Sequence, residues 1–351
     1  MQYQIATIAG DGIGKEVVPA AQRVLEAAGT KWDFKLEWES QDWGCEYYTR
    51  TGSMMPEDGL DQLRNSDAVF LGAVGYPGVP DHISLWGLLI PIRRAFRQRV
   101  NYRPIRLFPG IDGPLRDTGD GVDFVVVREN NEGEYSEIGG RIYRGLEEEI
   151  AIQESVFTRR GVRGVMEYAF ELAGERKGQL LSATKSNGIV HTMPFWDEVF
   201  NETAASYPDI AVSQMHIDAL AAYFVQRPQS LDVVVSSNLF GDILSDLGAA
   251  VAGSIGIAPS ANIDPTRTHP SMFEPVHGSA PDIAGRGISN PIGQIWSGAL
   301  MLEHLGQEEA GGAIIDAIAS VLANGGPRTA DLGGTATTED VTRAVVDALT
   351  G

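Results

Sequence analysis

Five short runs of apolar, largely β-branched residues punctuate the chain: IATIA (5–9), AVFLGAV (68–74), VDFVVV (122–127), LLSAT (180–184) and LDVVVSS (231–237). Segments of helical period separate them. Val17, Val18, Ala21, Val24, Leu25 and Ala28 repeat at helix spacing, with Lys15, Glu16, Gln22, Arg23 and Glu26 on the other side, which predicts a surface helix packed on a sheet. Strands that are apolar throughout are buried on both faces, so this alternation predicts an α/β fold with parallel strands under helices. Near the end, EEAGGAIIDAIASVLANGG and TEDVTRAVVDALTG read as amphipathic helices.

Two stretches break the alternation. EYSEIGGRIYRGLEEEIAIQE (134–154) is punctuated by glycine and suits extended strands or a projecting arm better than a core helix. SIGIAPSANIDPTRTHPSMFEPVHGSAPDIAGRGISNP (254–291) reads as a long, proline-bearing loop region, and long ordered loops in α/β folds commonly hold ligands. No internal repeat or low-complexity tract is visible.

Composition narrows the classes. A chain of 351 residues predicts two lobes. With 27 basic against 47 acidic residues the net charge is −20, which argues against nucleic acid or an anionic membrane as partner. Only five of the basic residues are lysine, a surface that suits a high-salt cytoplasm and an ordinary acidic enzyme equally. Cys45 is the sole cysteine, so an internal disulfide or a thiolate-rich zinc site is ruled out. MQYQIATIAGDGIG lacks a basic n-region, and no run approaches the ~18 apolar residues of a membrane span, so the expected location is the cytoplasm.

Several segments carry candidate chemistry. GDGIG follows a strand and opens a helix, but Gly10, Gly12 and Gly14 make GxGxG rather than the dinucleotide fingerprint, so a tight turn beside a ligand cleft is the better reading. In NLFGDILSDLG, Asp242 and Asp246 stand one helical turn apart on one face. Such oxygen-only ligands suit Mg²⁺ or Mn²⁺, the alternative being a helix-start cap by Asp242 with a solvated Asp246. Asp218 in QMHIDAL is a further candidate ligand. Arg93, Arg94, Arg97, Arg99 and Arg103 cluster in IPIRRAFRQRVNYRP, where guanidinium forks could take carboxylates or form surface ion pairs. Lys185 ends the apolar run of SATKSN, a place that suits either a general base or a structural lysine.

Taken together and in order, GDGIGKEV, IRRAFRQRVNYRP, VRENNEGEY, SATKSN, HID, NLFGDILSDL and EPVHGSAPDIAGRGISNP resemble the β-decarboxylating dehydrogenases of the isocitrate/isopropylmalate family, essentially end to end. DHISLWGLLIPIRRAFRQRVNYRPIRLFPG, RENNEGEYSEIGGR and IQESVFTRRG are most similar to its tartrate/D-malate branch. The resemblance implies an isopropylmalate-dehydrogenase-like α/β fold, not a classical Rossmann fold, with one large mixed sheet shared by two domains. Residues 1–101 with 255–351 would form the first, and 102–254 the second with a dimer arm at about 133–155.

It also implies roles. Asp242 and Asp246 would bind Mn²⁺ or Mg²⁺, with Asp218 from the partner subunit of a homodimer. Arg93, Arg103 and Arg128 would clamp the carboxylate to be lost, beside Leu89. Tyr135 and Lys185 would be the catalytic pair, Lys185 again from the partner. NAD would lie along His277, Gly278, Ser279, Ala280, Asp282, Ile283 and Asn290, and K⁺ is a further candidate cofactor. The implied activity is NAD-linked oxidation of D-malate or tartrate with β-decarboxylation. The alternatives are a 3-isopropylmalate dehydrogenase, with Leu85, Trp86, Leu88 and Leu89 as its apolar pocket, and a non-catalytic regulatory subunit.

Overall fold

All five apolar runs fold as strands in the computed structural model, which describes residues 1–116, 118, 119 and 121–351. The strands are β1 (Gln2–Gly10), β2 (Lys35–Gln41), β3 (Ala68–Ala73), β4 (Val100–Arg106), β5 (Asp123–Glu129), β6 (Gly139–Ile142), β7 (Ile150–Gln153), β8 (Gln179–Thr184), β9 (Ala211–His216), β10 (Val233–Ser236), β11 (Pro259–Ile263) and β12 (Ser271–Pro275). Ten of them form one sheet in the order β2-β1-β3-β12-β11-β4-β5-β10-β8-β9.

The sheet is mixed rather than parallel, which corrects the expectation drawn from apolar runs alone. β2, β1, β3 and β12 run parallel, as do β5, β10, β8 and β9, but the β12–β11, β11–β4 and β4–β5 junctions are antiparallel. Helices cover both faces, so even an antiparallel junction is buried and carries no polar-out alternation to betray it. The stretch read as a loop from 254 to 291 holds two of these central strands. PSANI and SMFEP are short, begin or end in proline, and lack a β-branched run, so they carry weak strand signals.

The helix Gly14–Lys31 buries Val17, Val18, Ala21, Val24, Leu25 and Ala28, as its period requires, and packs on Ile292–His304 and Thr338–Thr350. The last begins with a capping box, Thr337 Oγ1 accepting from Asp340 N while the Asp340 carboxylate accepts from Thr337 N. β6 and β7 pair only with each other, as an antiparallel hairpin off the main sheet, so the extended reading of 134–154 agrees with the structure.

Candidate active site

The helix Asn238–Val251 decides what its two aspartates do. Ser237 occupies the cap position without a side-chain bond to the helix, and the carboxylate of Glu134 does the capping instead, accepting from Leu239 N at 3.0 Å and from Ser237 Oγ at 2.8 Å. Asp242, in the second turn, is therefore free of capping duty. The helix lies so close to β5 that a Cβ at Gly241 would meet Arg128 Cβ at 2.6 Å, which is why glycine precedes Asp242. That approach sets Asp242 against the guanidinium at the end of β5.

Three side chains converge on the Asp242 carboxylate. Oδ1 accepts from Arg128 Nη1 and from Arg103 Nη1, the latter at 3.2 Å, and Oδ2 accepts from the Tyr135 hydroxyl at 3.0 Å. Arg103 also donates to Ser245 Oγ at 2.6 Å and lies 3.7 Å from Asp246. Arg128 is held by Asn238 Oδ1, at 3.1 Å from Nε and 2.7 Å from Nη2, and stacks over the Tyr135 ring. Arg93 pairs with Glu274 on β12 at 2.8 Å. Arg93 Nε and Arg103 Nε are buried without a hydrogen-bond partner among the described residues, so two donors of the site are left unsatisfied by the chain itself.

The charges follow from this geometry. Burial opposes ionisation of Asp242, but Arg128 and Arg103 outweigh it and hold the carboxyl below its ordinary value. Burial pushes Asp246 up, Arg103 offsets part of that, and the charge on Asp242 adds to the rise. Two carboxylates one turn apart, one of them kept from ionising freely, form a donor set that a divalent cation would satisfy. Burial and the charge of Asp242 raise the Tyr135 phenol, so it stays protonated. Burial, with repulsion from Arg103, lowers Arg128 to about 10.

The other expected residues divide into two groups. Lys185 Nζ donates to Asp218 Oδ1 at 2.7 Å, and this pair stands apart from Asp242 and Asp246: among the described residues no three carboxylate, imidazole or thiol groups lie together as a metal site. Along 277–290, Gly278 and Ala280 adopt left-handed backbone conformations at φ +66° and +37°, and Asp282 is exposed. Asn290 is committed within the fold, donating to Asp331 Oδ2 at 2.9 Å and accepting from Ile292 N at 3.0 Å. GDGIG packs against this loop. Ile13 N donates to Ser279 O at 2.9 Å, and a Cβ at Gly12, where φ is +53°, would stand 2.0 Å from the same oxygen, so the turn buttresses the loop instead of cradling phosphate.

The arginine cluster splits. Arg93 and Arg103 join the site, Arg94 donates to Tyr135 O at 3.0 Å and stacks on Trp86, and Arg97 and Arg99 face a different cavity. Leu89 is half-buried, but Leu88 is fully buried among Ile92, Phe96 and Met272 and is not available to line a pocket. Sequence reasoning missed Asn238, Ser245, Glu134 and Glu274. Their polar atoms orient the arginines and the helix, a task without a spacing signature.

The model of the isocitrate/isopropylmalate dehydrogenase family matches residues 4–346. The chain is 57% identical to the probable tartrate dehydrogenase/decarboxylase of Bacillus subtilis (strain 168), over 99% of this chain and 98% of the relative. It is 56% identical to the D-malate dehydrogenase [decarboxylating] of Escherichia coli (strain K12), over 97% of each. Among solved structures, isocitrate dehydrogenase from Methylococcus capsulatus superposes with a TM-score of 0.90 at 35% identity, covering 99% of this chain and all of that one. A chain matched from residue 4 to residue 346, with the fold of a solved member, belongs to the isocitrate/isopropylmalate dehydrogenase family.

Proposed function

We propose that the protein oxidises a four-carbon 2-hydroxy dicarboxylic acid, D-malate or tartrate, with NAD and a divalent cation, and decarboxylates the product. The observation that carries this reading is the convergence of Tyr135, Arg103 and Arg128 on Asp242, in a chain more than half identical to relatives named for those activities. Leu88 lying in the core and Arg94 covering Trp86 favour a four-carbon acid over 3-isopropylmalate, since they remove apolar lining that a branched side chain would need. The two-domain division, 1–101 with 255–351 and 102–254, agrees with a sheet whose two parallel halves meet through β11 and β4. The residues of the site fit a catalytic subunit better than a regulatory one.

Asp242 and Asp246 would hold Mn²⁺ or Mg²⁺, with Asp218 of the partner subunit as third ligand. Bound there, the cation supplies Lewis acidity at the 2-oxygen of the substrate. NAD would be held along His277–Asn290, where the exposed carboxylate of Asp282 would disfavour a 2′-phosphate. Arg93, Arg103 and Arg128 bind the carboxylate that leaves, their guanidinium forks matching its two oxygens. Lys185 of the partner subunit removes the proton from the 2-hydroxyl; NAD, when bound, would supply the acceptor for the hydride at C2. Loss of CO₂ from the 2-keto acid leaves an enolate, and Tyr135, kept protonated by burial beside Asp242, donates the proton that completes pyruvate when D-malate is the substrate.

The test is NADH formation by purified protein with Mn²⁺, comparing D-malate, L- and meso-tartrate and 3-isopropylmalate. A kcat/KM favouring the four-carbon acids is expected. Preference for 3-isopropylmalate overturns the substrate assignment and leaves the site chemistry in place.

A further inference from the structure

A second cavity, of about 550 Å³, lies between the helix Arg159–Glu175, the turn at 97–99 and the loop 264–267, outside the site built on Asp242. Arg97, Arg99 and Arg267 line it together with Gly164, Glu167, Tyr168, Glu171 and His304. Arg93 and Arg103 are ion-paired, whereas Arg97, Arg99 and Arg267 make no ion pair among the described residues, although Arg267 Nη1 donates to the His304 carbonyl at 2.9 Å. In a chain with 47 acidic residues, three such guanidinium groups on one cavity wall call for an explanation.

Three local choices around this cavity each cost stability, and only Arg267, through its bond to the His304 carbonyl, offsets part of that cost within the fold. Arg97 has φ +51° at the end of the helix Ile90–Ala95, where Arg97 N donates to Arg94 O and Gln98 N to Arg93 O, a helix ending at which glycine is the usual residue. Arg267 has φ +52° and is fixed there by Asp264, whose carbonyl accepts from Arg267 N and whose carboxylate accepts from Thr266, Thr268 and His269. Gly164 sits inside the helix Arg159–Glu175, and a Cβ added there would find nothing within 4 Å. Glycine in a helix interior is less stable than alanine, and a non-glycine residue in the left-handed region is strained. Gly164, Glu167, Tyr168 and Glu171 share one face of that helix, so the missing side chain at 164 keeps the cavity open.

We propose that this cavity binds a phosphate-bearing polyol, with the phosphoryl group held by Arg97, Arg99 and Arg267 and the hydroxyls donating to Glu167 and Glu171. Guanidinium forks match phosphate oxygens bidentately, and carboxylates accept only from donors, so a ligand must bring both an anionic group and hydroxyls to satisfy the two walls. The volume is that of a small-ligand site. The cavity adjoins the end of the helix that carries Arg93 and Arg94, which ties it to the active site by one helix ending.

Calorimetric titration of ribose 5-phosphate and of inorganic phosphate, at constant ionic strength, tests this on three proteins: wild type, the double variant Arg97→Gly with Arg267→Gly, and Gly164→Leu. Glycine relieves backbone strain at both arginine positions, which offsets the lost solvent-exposed bond from Arg267 to the His304 carbonyl, so the double variant is expected to melt within a few degrees of wild type and to turn over substrate as wild type does. Wild type is expected to bind the ester at least tenfold more tightly than the double variant, and Gly164→Leu to weaken binding similarly by filling the cavity. Equal binding by all three proteins, or none by wild type, overturns the site. Equal affinity for ester and inorganic phosphate overturns the role given to Glu167 and Glu171. Because substrate turnover is measured separately, failure here leaves the proposed activity standing.

Discussion

Tyr135 is a single hydroxyl bonded to a single carboxylate oxygen, and its replacement isolates proton delivery from the rest of the site. Tyr135→Phe removes the donor to Asp242 Oδ2, while Arg128 and Arg103 still hold Oδ1. A fall in turnover of about 10²–10⁴-fold with the melting temperature nearly unchanged is expected, measured by steady-state kinetics and calorimetry. Unchanged turnover would show that another group delivers the proton. Glu129 gives a test of linkage. Burial raises its carboxyl to about 7, although the backbone N–H groups of Asn131 and Glu132 pull it back. A folded-state value above the unfolded one means that the native protein binds the extra proton, so stability falls as pH rises from about 4.5 to 7. Glu129→Gln should flatten that part of a denaturation-versus-pH curve, by up to about 3 kcal/mol at its upper end. A wild-type curve already flat there would show that Glu129 ionises normally.

At the scale of the element, the β6–β7 hairpin stands out because it has an apolar face and nothing within its own chain to cover it. Ile142 pairs with Ile150 and Gly140 with Ile152, so Ile142, Ile150 and Ile152 lie on one side, and all are exposed. An isolated two-stranded hairpin is marginal in water, which supports the proposal that a partner subunit completes it. Ile142→Asp with Ile152→Asp should shift the protein to monomer in light scattering and abolish activity, because Lys185 and Asp218 would then have no second site to enter. A dimer that survives both changes would place the interface elsewhere. The hairpin and the helices were legible from glycine punctuation and period. β11 and β12 were not, since Pro259 and Pro275 bound segments too short to show a pattern, and the tie between Glu134 and Ser237 joins residues 103 apart in sequence. Asp242 and Asp246 were legible because helix geometry fixes their spacing, whereas their arginine neighbours arrive through sheet order, which no local string encodes.

For the whole molecule the relevant quantity is the net charge of −20. Most ion pairs outside the active site are solvent-exposed, as in Lys15–Glu46 and Arg50–Asp42, and each contributes at most about 1 kcal/mol. Screening therefore relieves more repulsion than it removes attraction, and raising KCl from about 0.05 to 0.5 M should raise the melting temperature by a few degrees. A falling melting temperature would give the surface pairs the larger role. Folding and turnover without molar salt would mark an ordinary acidic enzyme, and a strict requirement for salt would mark adaptation to it.

The order of strands in the sheet also sets a timetable for synthesis. β3 ends at residue 73, yet its sheet neighbour β12 begins at residue 271, and the helix Gly14–Lys31 packs on helices that start at 292 and 338. At translation rates of about 5–20 residues per second, the N-terminal strands wait about 10–40 s for the segments that cover them. During that interval β3 presents an unpaired, wholly apolar edge outside the ribosome. The stretch from β5 to β10 contains its own neighbours in sequence, so this later-made middle of the chain can close first. Nascent chains halted before residue 259 should therefore be the ones that engage chaperones and aggregate, while those that have passed the helix Thr338–Thr350 should not.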